Sequence, residues 1–184
     1  MLIGKQNDKK MKEEKREKMI QENNLVKYYS ELAGKLDEII PCEWERIVLY
    51  AEETGDVSAA SFYFFTSDSQ YYYSENIWEE FDVDEDDFDE LKNQLMDITR
   101  KLWWEFKNAG EEAWSSFTFN LDKDFKFKMN YCYEKNDNLA RMEKVLRWAY
   151  DELEIIPRDN YRRSLLKEYL EEQGRELPEE LKEI

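Results

Sequence analysis

Carboxylates are the most concentrated chemical groups of this sequence. Between Glu79 and Glu90, nine of twelve residues are acidic and none is basic. A run of this kind permits three kinds of chemistry: acid and base catalysis by a carboxylate pair, binding of a divalent cation, and attraction of a basic partner. Each kind makes a different demand on residue types and spacing, so the surrounding sequence can discriminate among them.

Enzymatic use of these carboxylates has little support. The chain contains no histidine, which removes the usual general base near neutral pH and the commonest metal ligand. Its five glycines form no phosphate-binding loop, and carboxylates this abundant make any glycosidase-like pair uninformative. Glu90-Leu91-Lys92 has the Glu-x-Lys spacing of metal-dependent nucleases, but residues two apart diverge on a helix. We therefore predict no catalytic residue, and a small carboxylate-dependent enzyme remains the weaker alternative.

The acidic run also lacks the pattern of a dedicated metal site. A calcium-binding loop needs ordered ligand spacing around a glycine turn, and no glycine lies between Glu79 and Glu90. Cys42 and Cys132 are the two cysteines, which is too few for a disulfide framework or a zinc pattern. We expect both as reduced thiols, and we predict no metal and no cofactor.

The charge balance of the whole chain favours a basic partner. Its 184 residues include 27 Lys and Arg against 44 Asp and Glu, which gives a net charge of −17. Nucleic acids and anionic membranes need a basic surface, so direct binding to either is not expected. Solubility alone is the commoner reason for such acidity. Because aromatic residues make up 15% of the chain and recur periodically, we predict a folded protein.

A long helix is predicted to follow the acidic run and to position it. Apolar residues recur every three or four positions, which is typical of a helix with one buried stripe. The stripe consists of Phe88, Leu91, Leu95, Ile98, Leu102 and Phe106. Asp84 is predicted to cap the start of this helix, and Gly110 to follow its end. Capping and the helix dipole account for about three or four of the carboxylates, and mutual repulsion opposes the surplus.

Strand-like segments flank the predicted helix on both sides. Before it, residues 46–53, 58–66 and 70–74 are joined by turns too short for parallel pairing, which predicts an antiparallel meander. After it, alternation over residues 114–121 and 125–133 predicts a hairpin. The aromatic residues on the apolar faces of these elements are assigned to the core, among them Phe127.

The complete prediction is an α+β fold. A single layer of about four helices packs on an antiparallel sheet of about five strands, a three-strand meander plus a hairpin. The further helices cover about residues 10–39, a segment capped by Asn138, and about residues 160–173.

Three regions are predicted along the chain. Residues 1–24 form a basic, partly solvated helical extension, residues 25–174 a single α+β domain, and residues 175–184 a tail with a helical turn. Neither an apolar signal segment nor a membrane-spanning run is found, so a cytoplasmic location is expected.

Two aromatic residues are predicted to extend the acidic surface. Trp104 falls on the polar side of the central helix, and Tyr72 is the middle of three consecutive tyrosines that cannot all face the core. Exposed Trp and Tyr are frequent in protein-binding hot spots, although cover by residues 74–80 would account for them equally well. The predicted partner-binding residues are these two and seven acids, Glu79, Glu80, Asp82, Asp84, Glu85, Asp86 and Asp87.

Several short aromatic motifs occur in an order that resembles the YezG-like immunity proteins. They are Ile40-Pro41-Cys42-Glu43-Trp44-Glu45, Leu49-Tyr50-Ala51-Glu52, Phe62-Tyr63-Phe64, Trp114-Ser115-Ser116-Phe117-Thr118, Phe125-Lys126-Phe127-Lys128-Met129-Asn130-Tyr131 and Trp148-Ala149-Tyr150. The resemblance covers about residues 25–170. It implies a cytoplasmic antitoxin, not an enzyme, that neutralises the nuclease domain of a cognate toxin exported by a type VII secretion system.

This implied partner agrees with the acidic surface. A nuclease domain is basic because it holds a polyanion, and an acidic protein can occupy or distort that surface. The alternative interpretation is an acidic nucleic-acid mimic that regulates some other basic protein. The oligomeric state stays open.

Overall fold

A computed structural model describes residues 24–134 and 138–182 of the chain. Its first helix, α1, covers residues 24–39. The strands are β1 (Arg46–Glu53), β2 (Ser58–Phe65), β3 (Tyr71–Tyr73), β4 (Ser116–Asp122) and β5 (Phe127–Cys132). The other helices are α2 (Ile77–Glu80), α3 (Glu85–Asn108), α4 (Arg141–Leu153), α5 (Asn160–Glu172) and α6 (Glu179–Lys182), with a 3-10 turn at Ser74–Asn76. The predicted basic extension and the first part of the predicted helix 10–39 lie outside the described residues.

The five strands form one antiparallel sheet in the order β3-β2-β1-β4-β5. The predicted meander and hairpin are both confirmed, and the pairing of β1 with β4 joins them. Leu49, for example, lies between Phe62 of β2 and Phe119 of β4. The predicted α+β class is therefore confirmed, with β1 at the centre of the sheet.

Helices α1 and α3 supply the hydrophobic core on the Leu49 face of this sheet. Leu36 of α1 and Leu102 of α3 are fully buried in the same cluster as Leu49. The predicted stripe of α3 is confirmed, because its members are buried or packed against that cluster. Burying such side chains is worth about 1.5–3 kcal/mol each, so this cluster fixes where α3 lies on the sheet.

Both ends of α3 form as predicted. Oδ1 of Asp84 accepts the backbone N–H groups of Asp86 and Asp87 at 3.0 and 3.1 Å. Gly110 follows the helix with φ +74°, a left-handed conformation that suits glycine. These are local features, so the nearby sequence was sufficient to predict them.

The chain divides into two compact units between Glu134 and Lys135. In the C-terminal unit, α4, α5 and α6 share a small core formed by Leu146, Leu166, Leu170 and Leu181. The predicted helical turn in the tail is confirmed by α6.

The predicted start of α4 is wrong. The helix is capped at Ala140 rather than Asn138, and the Glu143 carboxylate accepts the Ala140 N–H at 3.3 Å. The side chain that makes a hydrogen bond at the start of α4 is therefore Glu143 in the first turn, and not Asn138.

Candidate protein-protein interface

The seven predicted acids are all exposed around the start of α3. We call this surface the acidic entrance; it consists of Glu79, Glu80, Asp82, Asp84, Glu85, Asp86 and Asp87. Asp82 has φ +52° and turns the chain between α2 and the cap of α3. Aspartate tolerates this left-handed conformation better than most residues with a side chain.

Apolar residues between the acids hold the acidic entrance in place. Phe88 is 2% exposed in the core, and Phe81 packs its ring on Tyr72 with centroids 4.9 Å apart. The Val83 N–H donates to the Trp78 carbonyl at 3.1 Å. Because these residues anchor the backbone, the intervening carboxylates project into solvent rather than into the fold.

Helix formation explains only part of this acidity. Glu85, Asp86 and Asp87 lie in the first turn of α3, where the helix dipole stabilises negative charge, and Asp84 is the cap. Lys92 is the first basic residue after the run, and its Nζ binds Oε2 of Glu75 at 2.5 Å. Glu79, Glu80 and Asp82 precede the cap, so the needs of α3 leave these three carboxylates unexplained.

Trp104 is exposed on α3, as predicted. Its side chain is 48% exposed, whereas Trp103 is 7% exposed and donates its Nε1–H to the Trp114 carbonyl at 2.9 Å. Residues 74–80 therefore do not bury Trp104, although burial under them was the alternative to an exposed tryptophan.

Trp104 shares a side of α3 with the acidic entrance but lies far from it. It follows Asp86 by 18 positions (104 − 86), which is five full turns of a helix and a rise of about 27 Å. Glu90, Asp97 and Arg100 are exposed along the same side. Helical spacing placed Trp104 on the polar side correctly, but it gave no sign of this separation from the acids.

Tyr72 lies on the core side of the sheet rather than on the acidic surface. It is half-buried, and its ring stacks on Phe64 with centroids 5.1 Å apart. Tyr71 and Tyr73 alternate to the opposite side, and the ring of each packs against Tyr63. The prediction that at least one tyrosine faces away from the core is correct for Tyr71 and Tyr73. Tyr72 instead packs beneath the acidic entrance, where it contacts Phe81.

The structure exposes three aromatic residues near the β4–β5 hairpin that the sequence did not single out as surface. Phe125, Phe127 and Tyr133 are 49%, 42% and 45% exposed. The assignment of Phe127 to the core is wrong, because β5 is the last strand of the described sheet. Phe127 still packs on Phe119 and Tyr29, with centroid distances of 5.2 and 5.3 Å. Strand alternation predicted which side of the sheet Phe127 lies on. It did not predict the order of the strands, and therefore not that β5 lies at the edge.

No metal site is found within residues 24–134 and 138–182, where His, Cys, Asp and Glu side chains form no group of three suited to hold an ion. Likewise, none of the described helices combines the length and apolar character needed to cross a membrane.

Comparison with known proteins gives the family. The family model for YezG-like immunity proteins matches residues 25–167. This chain belongs to the YezG-like immunity protein family. The match includes the acidic entrance and Trp104, and it confirms the resemblance that the order of the aromatic motifs indicated.

Relatives of this YezG-like chain occur in several bacteria. It is 33% identical over 145 residues to "Immunity protein YezG" of Bacillus spizizenii, which covers 77% of the chain and 90% of that protein. It is 32% identical over 145 residues to the Bacillus subtilis protein of the same name, covering 77% and 96%. It is also similar to the "Type VII secretion system protein EsaG" of Staphylococcus aureus, at 29% over 163 residues, covering 86% and 98%.

Proposed function

We propose that this protein is a cytoplasmic antitoxin that binds and neutralises the nuclease domain of a toxin exported by a type VII secretion system. The observation that carries the proposal is the family match together with seven exposed carboxylates in one surface. Immunity proteins act by binding, so the proposal assigns the chain no catalysis of its own, and no direct contact with nucleic acid or membrane.

Electrostatic complementarity supports a nuclease as the partner. A nuclease attracts a polyanion through Lys and Arg, and an acidic protein surface is attracted to the same groups. Complementary charge speeds encounter and selects the orientation of docking, while buried aromatic contacts slow dissociation. In this proposal the acidic entrance has the first role and Trp104 the second.

One interface is large enough to include both parts. A standard interface buries about 800 Å² on each partner, which corresponds to a patch roughly 30 Å across. The acidic entrance and Trp104 are about 27 Å apart along one side of α3. A partner lying lengthwise along α3 would therefore contact both, whereas a partner crossing α3 would contact one.

Capture of the partner tests this proposal. The tagged chain is used to isolate its complex from cells that express it naturally, and the captured protein is identified and assayed for cleavage of DNA and RNA. We expect a type VII-exported protein whose nuclease activity falls to zero as antitoxin is titrated to a stoichiometric amount.

Three outcomes would contradict the proposal. A captured basic protein without nuclease activity would favour the nucleic-acid-mimic alternative. A captured nuclease that stays active in the complex would show that binding is not neutralisation. Hydrolysis of a nucleotide or glycan substrate by the purified chain alone would instead revive the enzyme alternative.

A further inference from the structure

A cavity of about 780 Å³ lies at one corner of the N-terminal unit, where three segments of the chain meet. Asp37 and Trp44 come from the end of α1 and its connection to β1, Ser67 comes from the β2–β3 turn, and Phe125 comes from the β4–β5 turn. We call it the Trp44 cavity. Its volume is within the range of pockets that bind small ligands.

The walls of the Trp44 cavity include two aromatic rings that contact each other. The rings of Trp44 and Phe125 meet edge to face with centroids 5.9 Å apart. Nε1–H of Trp44 donates to Oδ1 of Asp37 at 2.9 Å, which holds the indole. Phe125 is 49% exposed despite this contact. Faces of such rings attract cations, and Trp does so most strongly.

The charged lining of the cavity is negative. Three carboxylates, Asp37, Glu43 and Glu45, face one amine, that of Lys123. Lys123 binds Glu45 at 2.6 Å, so the negative charge that remains belongs to Asp37 and Glu43. Burial, and after it the negative charge of Glu43, raise the pKa of the Cys42 thiol in the same lining. The cavity therefore suits a cation.

The backbone at Phe125 indicates that its ring is needed at this place. Phe125 has φ +58° in a turn whose bonds run from its N–H to the Asp122 carbonyl and from the Lys126 N–H to Oδ1 of Asp122, both at 2.9 Å. Hairpin turns of this kind favour glycine or asparagine at the left-handed position, because a side chain is strained there. The turn alone gives no reason for phenylalanine, whereas the cavity wall does.

We infer that the Trp44 cavity receives an arginine side chain from the basic partner, an inference that rests on the proposed function for the existence of that partner. A planar guanidinium can stack on Trp44 or Phe125 and donate in parallel to a carboxylate such as Asp37 or Glu43. The ammonium of lysine lacks both the plane and the fork. The acidic entrance and the Trp44 cavity are thus separate contacts, one for encounter and one for an anchoring side chain.

A probe without any toxin tests the chemistry of the cavity. N-acetyl-arginine amide is added at millimolar concentration to the ¹⁵N-labelled full chain, and the indole N–H signal of Trp44 is followed by NMR. We expect a saturable shift of this signal, assigned by its loss in Trp44→Phe, and no shift with the neutral isostere N-acetyl-citrulline amide. An unmoved Trp44 signal, or an equal response to citrulline or lysine amide, would overturn the assignment to arginine.

A pair of glycine substitutions tests the cavity in the complex. Phe125→Gly removes the ring and relieves the backbone, and Ser69→Gly, whose φ is +63°, relieves a similar turn without removing a ring. We expect Phe125→Gly to keep or raise the melting temperature and to weaken binding to the captured nuclease roughly tenfold, with Ser69→Gly binding as the natural chain does.

The two possible failures are distinguishable. A captured nuclease that binds Phe125→Gly as tightly as the natural chain overturns the cavity contact and leaves the proposed function intact. An arginine-dependent shift of Trp44 without any captured nuclease overturns the proposed partner, while arginine stays the ligand of the cavity.

Discussion

The indole rings of Trp103 and Trp104 meet edge to face at 5.2 Å, yet one is 7% exposed and the other 48% exposed. Successive residues of a helix differ by about 100° in direction, so α3 presents one tryptophan to the core and its neighbour to solvent. Substitution of each tryptophan in turn can therefore separate an effect on stability from an effect on binding.

Replacement of Trp104 is expected to affect the complex rather than the fold. Trp104→Ala should raise the dissociation rate of the toxin complex roughly tenfold, because an exposed interface tryptophan is a common hot spot. Its free energy of unfolding should change by no more than about 1 kcal/mol. Surface plasmon resonance and urea denaturation measure the two quantities.

Trp103→Ala is the matched control for this substitution. It deletes a buried ring and leaves the Trp114 carbonyl without its donor, so we expect a loss of about 3–5 kcal/mol in stability. If Trp104→Ala were destabilising to the same extent, its ring would be part of the core and the proposed contact would be wrong.

Neutralising the acidic entrance is expected to slow association. The variant replaces Asp82, Asp84, Asp86 and Asp87 with asparagine. Asparagine caps helices as well as aspartate does, so Asp84→Asn should keep the start of α3 and the fold should persist. The association rate at low salt should fall roughly tenfold and its dependence on salt should weaken, because fewer charges steer the encounter. Stopped-flow binding at several ionic strengths measures both.

A variant with the same change of charge elsewhere controls for net charge. It replaces four exposed acids of the C-terminal unit with glutamine: Glu168, Glu171, Glu176 and Glu180. We expect this control to associate faster than the aspartate variant. Equal rates for both variants would mean that net charge, and not the acidic entrance, governs the encounter.

A methyl group at Gly55 is expected to destabilise the N-terminal unit. Gly55 has φ +92°, and an added Cβ would lie 3.3 Å from a ring carbon of Trp103. Gly55→Ala should therefore cost about 1–2 kcal/mol through backbone strain, before any shift of the indole. In α1, Gly34 has open space at the same position, so Gly34→Ala should instead stabilise the protein by about 0.5–1 kcal/mol. Thermal denaturation measures the melting temperatures of the two variants. A shift of both melting temperatures in the same direction would refute this account.

Stability at high pH is expected to depend on Tyr131. Its hydroxyl lies 3.0 Å from that of Tyr29, and burial, followed by the hydrogen bond to Tyr29, raises the pKa of Tyr131 above its usual value of 10.0. Because the pKa is raised in the folded state, the protonated Tyr131 hydroxyl contributes its full share to the free energy of unfolding below about pH 10. That contribution is lost as the pH rises further.

Tyr131→Phe should consequently flatten the fall in unfolding free energy above pH 10, as measured by urea denaturation at several pH values. Tyr161→Phe, at a residue 66% exposed, serves as the control and should leave the fall unchanged. An equally steep fall in Tyr131→Phe would mean that other groups control the alkaline transition.

Local features of this fold were predictable from sequence, whereas long-range pairing was not. The cap at Asp84 and the left-handed Gly110 depend on neighbouring residues, so α3 could be delimited within a residue or two. The pairing of Leu49 with Phe119 spans the whole of α3, and alternation in each strand is compatible with several strand orders.

The candidate site was predicted in the same uneven way. The exposure of the acids follows from their charge, and that of Trp104 follows from helical spacing. The Trp44 cavity depends on three segments that meet only in the folded chain, so periodicity could not reveal it. The one local signal was Phe125, an aromatic residue in a turn that favours glycine.

The central place of β1 affects when the protein can act after its synthesis. β2 begins five residues after β1 ends (58 − 53), whereas β4, which pairs with the other edge of β1, begins 63 residues after β1 ends (116 − 53). At ribosomal rates of about 5–20 residues per second, synthesis of this interval takes on the order of 3–13 s, during which β4 is not yet available to pair with β1. Under the proposed function, a newly made toxin must therefore be met by antitoxin that has already folded, rather than by chains still on the ribosome.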